Sequence, residues 1–137
     1  MNEARLVRAD ELSPQTSQTA GMRRLAAIAA DTVSSKNLWV GRVTMDLGAR
    51  SGAHHHGDCE SVVCVTAGHI RFRFGERLEN SFEAGPGDFI YIPPRLVHQE
   101  LNLSEGEPID SIVVRDSQEN VVINVELLDE VLNPPLA

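Results

Sequence analysis

The sequence predicts an all-β domain, a barrel or sandwich built from short strands. Three observations carry this. Short apolar runs recur between residues 38 and 127, separated by Gly and Pro. One of them, residues 69–74, alternates with period two: Ile70, Phe72 and Phe74 share a face, and His69, Arg71 and Arg73 share the other. The breaks have turn chemistry, as in Gly85-Pro86-Gly87-Asp88 and Pro93-Pro94.

Taken in order, residues 1–20 are polar and read as an arm or irregular lead-in. Residues 25–30, Leu-Ala-Ala-Ile-Ala-Ala, favour helix by propensity, but the run is short and has no amphipathic continuation. It stays open between a helical turn and a lead-in strand. Residues 38–45 form the first clear strand, ending at Asp46-Leu47-Gly48. Residues 60–66 form the next, closed by Ala67-Gly68, and 69–74 follow until Gly75-Glu76 breaks them. Residues 89–92, 97–103, 111–114 and 121–127 complete the set. The tail contains Asn133-Pro134-Pro135, which can continue neither a helix nor a central strand. The division expected is an arm with a lead-in strand (1–37), a β-barrel (38–127) and a tail (128–137).

A chain of 137 residues makes one domain and buries about 68% of its unfolded surface, enough for a core without disulfides. The charge is −8, from 12 basic and 20 acidic residues. That balance opposes a phosphate-tracking nucleic-acid binder and docking on anionic membranes. No apolar run reaches the length of a membrane span, and residues 1–13 carry too many charges for a signal peptide, so the expected compartment is the cytoplasm. Cys59 and Cys64 lie five apart in one strand, about 17 Å at 3.3 Å per residue, too far for a disulfide.

The chemistry lies in the histidines. His54, His55 and His56 are consecutive, and His98 lies 42 residues past His56. On extended backbone His54 and His56 share a face while His55 points away. Glu60 follows at the start of the next strand. Two imidazoles and a carboxylate make half of a chelating site. Alternatively, a histidine tract beside Gly is a solvated loop.

The spacing extends the signal. Gly48, five residues, His54, one residue, His56, three residues, Glu60, with Gly68 beyond, resembles the first motif of the cupin superfamily. Gly87, five residues, Pro93, four residues, His98, three residues, Asn102 resembles its second motif. A gap of 26 residues separates Glu60 from Gly87. The likeness spans about residues 38–127 and is nearest to small single-domain bacterial cupins. Two positions depart from the family pattern. Seven residues rather than six separate Glu60 from Gly68, and Arg95 stands where the second motif carries Gly.

The resemblance implies a double-stranded β-helix, the cupin jelly-roll barrel, with His54, His56, Glu60 and His98 converging on one divalent metal. Three imidazoles and a carboxylate suit Fe, Mn, Ni, Zn or Cu, and four protein ligands leave positions open for a small-molecule substrate. Glu100 shares a strand face with His98 and is a candidate catalytic acid or base, or else a hydrogen-bonded strand residue. Asn102 lies on the same face and is a candidate substrate contact. Arg95 is either another substrate contact at the pocket mouth, provided that its φ is negative, or a solvated turn residue. The expected function is a metalloenzyme with dioxygenase-like or isomerase-like chemistry; a non-catalytic small-molecule sensor is the alternative. A homodimer is expected, with residues 14–45 supplying an edge strand or arm.

Overall fold

A computed structural model describes residues 3–119 and 121–135. The elements in chain order are β1 (Met22–Ile28), α1 (Ala30–Val33), β2 (Trp39–Met45), β3 (His54–His55), β4 (Ser61–Ala67) and β5 (Ile70–Phe74). They continue with β6 (Asn80–Ala84), β7 (Phe89–Ile92), β8 (His98–Asn102), β9 (Ile109–Arg115), β10 (Ile123–Asn124) and α2 (Asp129–Leu132). Both helices are single four-residue turns. Among the described residues no helix is long and apolar enough to cross a membrane.

The strands form two antiparallel sheets of five, in the orders β1-β2-β9-β4-β7 and β10-β3-β8-β5-β6. Neither sheet closes on itself; the two antiparallel sheets face each other in the jelly-roll, cupin-like arrangement that the sequence predicts. Side-chain packing joins them: Val43, Val63 and Val65 from the first meet Ile70 and Phe72 from the second in one buried cluster. Alternation along each strand produces this. In β4, Ser61, Val63 and Val65 are buried while Val62 and Cys64 are partly exposed.

Residues 25–28 resolve as strand, while Ala30 opens the single turn of α1. β1 pairs with β2 from Met22↔Met45 to Ile28↔Val40, with a bulge between Ala26 and Ile28. Ala26, 1% exposed, packs with Ala29 against Trp39 in a second cluster. Its small side chain suits contact with that indole, and tertiary pairing overrides helix propensity. The arm covers part of β1's outer edge. Ser13 and Ala26 exchange two backbone hydrogen bonds, and the Gln18 side chain bonds both the N–H and the C=O of Arg24.

Two strands differ from expectation. β6 carries no periodic apolar signal, because it is an edge strand with four of its five residues exposed. The run at 121–127 contracts to Ile123–Asn124, which pairs with His55 and His54 of β3. Cys59 is buried, Cys64 is partly buried, and both are free thiols.

Candidate metal site

The second sheet brings three histidines together. His54 in β3 pairs directly with His98 in β8, and His56 follows one residue beyond β3. Ring centroids lie 4.4 Å apart for His54–His98 and 5.0 Å apart for each of the other two pairs. One nitrogen from each ring lies within 4.8 Å of the others, which is within reach of a single ion. His98 is fully buried and its ring stacks on Phe72 at 5.1 Å.

Backbone carbonyls set the tautomers. The Nδ1–H of His54 donates to Gly52 O at 2.9 Å, that of His56 to Val121 O at 2.8 Å, and that of His98 to Leu96 O at 2.9 Å. A carbonyl can only accept, so each Nδ1 carries the proton and each Nε2 keeps a lone pair. This is the orienting shell that metal-binding imidazoles require. His98 Nε2 is buried without a hydrogen-bond partner among the described residues, a costly position for a lone pair unless a cation takes it. The donors therefore fit a divalent transition metal. Burial, with help from the neighbouring imidazoles, pushes the His56 and His98 pKa values down to about 4, so both rings are neutral at pH 7. His55 turns its Nδ1 to the Gly57 N–H, 3.0 Å away, and is not part of the cluster.

The two candidate carboxylates separate. Glu60 is exposed and is not brought to the histidines. Its Oε1 accepts a hydrogen bond from the Tyr91 hydroxyl at 2.6 Å on the outer side of the first sheet. The reason is parity: Ser61 begins the inward-facing set of β4, so Glu60 must face out. Ser61 has six residues before Gly68, the family spacing, and it lines the cavity where the motif would place its acid. The seven-residue gap after Glu60 was the signal that could have shown this. Glu100, on the same face of β8 as His98, does approach: its Oε1 lies 3.8 Å from His98 Nε2, and its side chain is 15% exposed.

Asn102 and Arg95 do not reach the cavity. Asn102 is buried as a clamp. Its amide donates to the carbonyls of Met45, Asp46 and Glu107, and its Oδ1 accepts from Ser104 N–H. Arg95 has φ +62°, against the negative value expected, and its exposed side chain pairs with Asp58 at 2.7 Å. It takes the left-handed conformation that favours glycine.

A cavity of about 130 Å³ lies between the sheets, with His54, His56 and Glu100 on one wall. The opposite wall contains Arg24, Trp39 and Arg115, and the sequence reading singled out neither arginine.

The family described as the cupin domain matches residues 41–115. A comparison with curated proteins finds no match. Among solved structures, the polyketide cyclase RemF from Streptomyces resistomycificus is similar at TM-score 0.75 and 16% identity, over 95% of this chain and 91% of that one. A conserved double-stranded β-helix protein from Klebsiella pneumoniae gives 0.67 and 18%, over 91% and 100%. An oxalate oxidase gives 0.65 and 18%; the match covers 80% of this chain and 57% of the oxidase.

Proposed function

Because this chain belongs to the cupin family, we propose that it is a metal-dependent enzyme acting on a small molecule, with one divalent metal held by Nε2 of His54, His56 and His98. One observation carries the reading: three backbone carbonyls fix three Nδ1 protons, and the three freed lone pairs converge. We read the paired sheets as the double-stranded β-helix of the family.

When bound, the metal supplies Lewis acidity or a redox centre, and three imidazoles suit Fe or Mn as well as Ni, Zn or Cu. The rest belongs to the chain. Leu96 O and Phe72 hold the His98 ring in one orientation. The Glu100 carboxylate, beside the cluster, can take up or return a proton at Oε1. Apolar walls including Met22, Val43 and Ile109 limit the water around the reacting groups. The similar polyketide cyclase and oxalate oxidase both act on small organic molecules, in keeping with this reading.

Elemental analysis of the purified protein tests the proposal, combined with oxygen uptake and product detection on a panel of small organic substrates. One metal per chain, lost in His54→Ala but kept in His55→Ala, is the expected result. Full metal content in His98→Ala would sink it. A homodimer belongs to the same proposal, because β7 is a sheet edge that exposes Phe89 and Tyr91. Light scattering at twice the chain mass is expected.

A further inference from the structure

Residues 121–133 form a strap that passes the histidines and ends on the outer face of the second sheet. Its first part touches the site. Val121 O accepts the Nδ1–H of His56 at 2.8 Å, β10 pairs with His54 and His55, and the Val125 N–H donates to Ala53 O at 2.9 Å. Val122 and Asn124 line the cavity. Hydrogen bonds rather than apolar burial hold the strap. None of its residues is buried, and neither hydrophobic cluster contains a described residue past Val113. A segment of this kind opens at low cost while the rest of the fold stays closed.

The far end is anchored by two side chains. Gln99 follows His98 on β8 and faces the other way, yet it is only 1% exposed. Its Nε2 donates to Ser51 O at 3.0 Å and to Leu132 O at 2.9 Å, and its Oε1 accepts from Arg73 Nη1 at 2.7 Å. Arg73, its cross-strand partner on β5, donates from the same Nη1 to Val131 O at 2.8 Å. Both hydrogens and the carbonyl of the buried amide are therefore paired, as burial requires, and the pairing joins the strap to β8 and β5.

We propose that Gln99 and Arg73 are positioning residues for the metal site. They anchor the strap, and the anchored strap holds His56 in the tautomer whose Nε2 lone pair is free, so strap docking and metal binding favour each other. This rests on the metal reading. Losing the orienting partner of a metal-binding imidazole weakens the metal by about tenfold or more. Linkage makes the effect reciprocal: the metal suppresses opening of the strap by the same factor. His54 and His98 are internal controls, because their acceptors, Gly52 O and Leu96 O, lie outside the strap.

The experiment compares the full chain, Arg73→Met, Arg73→Lys and a chain ending at Leu127. The shortened chain keeps Val121 to Val125, loses both anchoring carbonyls and retains both hydrophobic clusters, so it should fold. Equilibrium dialysis measures zinc affinity, nitrogen NMR of the metal-free proteins reads the histidine tautomers, and amide exchange follows Val125. The shortened chain should bind zinc about tenfold more weakly or worse. Arg73→Met should act in the same direction, and Arg73→Lys, which still donates, should stay nearer wild type. Without its anchor the His56 ring should populate both tautomers while His54 and His98 keep theirs. In the full chain zinc should slow Val125 exchange by the factor that shortening costs in affinity. Wild-type zinc affinity in both the shortened chain and Arg73→Met, an unchanged His56 tautomer in both, or Val125 exchange indifferent to zinc would each overturn the inference and leave the metal reading standing. A full chain that takes up no zinc would defeat both. If the shortened chain does not fold, Arg73→Met decides by the same three readouts.

Discussion

Two glutamates stand near the histidines in sequence, one just before β4 and one within β8, and they face opposite ways. Glu60 lies four residues past His56 but is exposed beside Tyr91 on the outer surface. Glu100 lies 44 residues past His56, yet its Oε1 is 3.8 Å from His98 Nε2. In a sheet, parity decides what meets what, and a shift of one residue moves a carboxylate from the cavity to solvent. The inward region of β8 is buried and holds its groups against backbone carbonyls. The region just before β4 is solvated.

The comparison breaks most completely at His98. His98→Ala should abolish stoichiometric metal binding, an effect of about a hundredfold or more in affinity, because it removes one of three converging donors. Equilibrium dialysis with zinc measures this, and near-wild-type affinity would contradict the assignment of the β8 face.

Acid should find the same region. In the metal-free protein His56 and His98 have folded pKa values of about 4, depressed below the unfolded value near 6.5. Between these limits the unfolded chain binds more protons than the folded one, so stability is fully present above about 6.5 and is lost as pH falls toward 4. Each histidine should contribute about 2 kcal/mol of loss at pH 5. Thermal melting of apo protein from pH 7.5 to 4.5 checks it. A double His56→Gln, His98→Gln variant should lose most of the dependence, and an unchanged slope would place its origin elsewhere.

The two glutamates can be set directly against each other. Glu100→Gln should weaken metal affinity by about tenfold, by removing a negative charge beside the coordinating nitrogen. Glu60→Gln should leave it unchanged and disturb only the Tyr91 hydroxyl, whose pKa the carboxylate raises through their hydrogen bond. Equal effects on metal affinity would erase the distinction between the two regions.

The smallest effect is expected at Arg95, in the turn that leads into β8. Its left-handed backbone favours Gly, while its exposed pair with Asp58 adds little. Arg95→Gly should raise stability by less than about 1 kcal/mol, because the greater freedom of Gly in the unfolded chain offsets part of the relieved strain. Denaturant unfolding measures it, and a loss above that size would show that the ion pair matters more than the backbone.

Much of this molecule is readable from residue order. Alternation at 69–74 and the turns at Gly85-Pro86-Gly87-Asp88 specify strands locally, because period and turn chemistry are properties of adjacent residues. The separation of His55 from His54 and His56 is local in the same way. What local order could not decide was orientation in runs apolar on both faces. Residues 61–65 read Ser-Val-Val-Cys-Val, whose alternation does not reveal whether Ser61 or Glu60 turns inward; the spacing to Gly68 hints at Ser61, and pairing with β7 and β9 decides it. Nor could it place Arg24, which stands just before the segment that propensity left open and which β2 draws into the sheet. The closing of two sheets over one cavity then brought Arg24, Arg115 and Glu100 around the histidines from strands far apart in the chain. Tertiary structure alone made that choice, because hydrophobic packing acts between faces and not along the sequence.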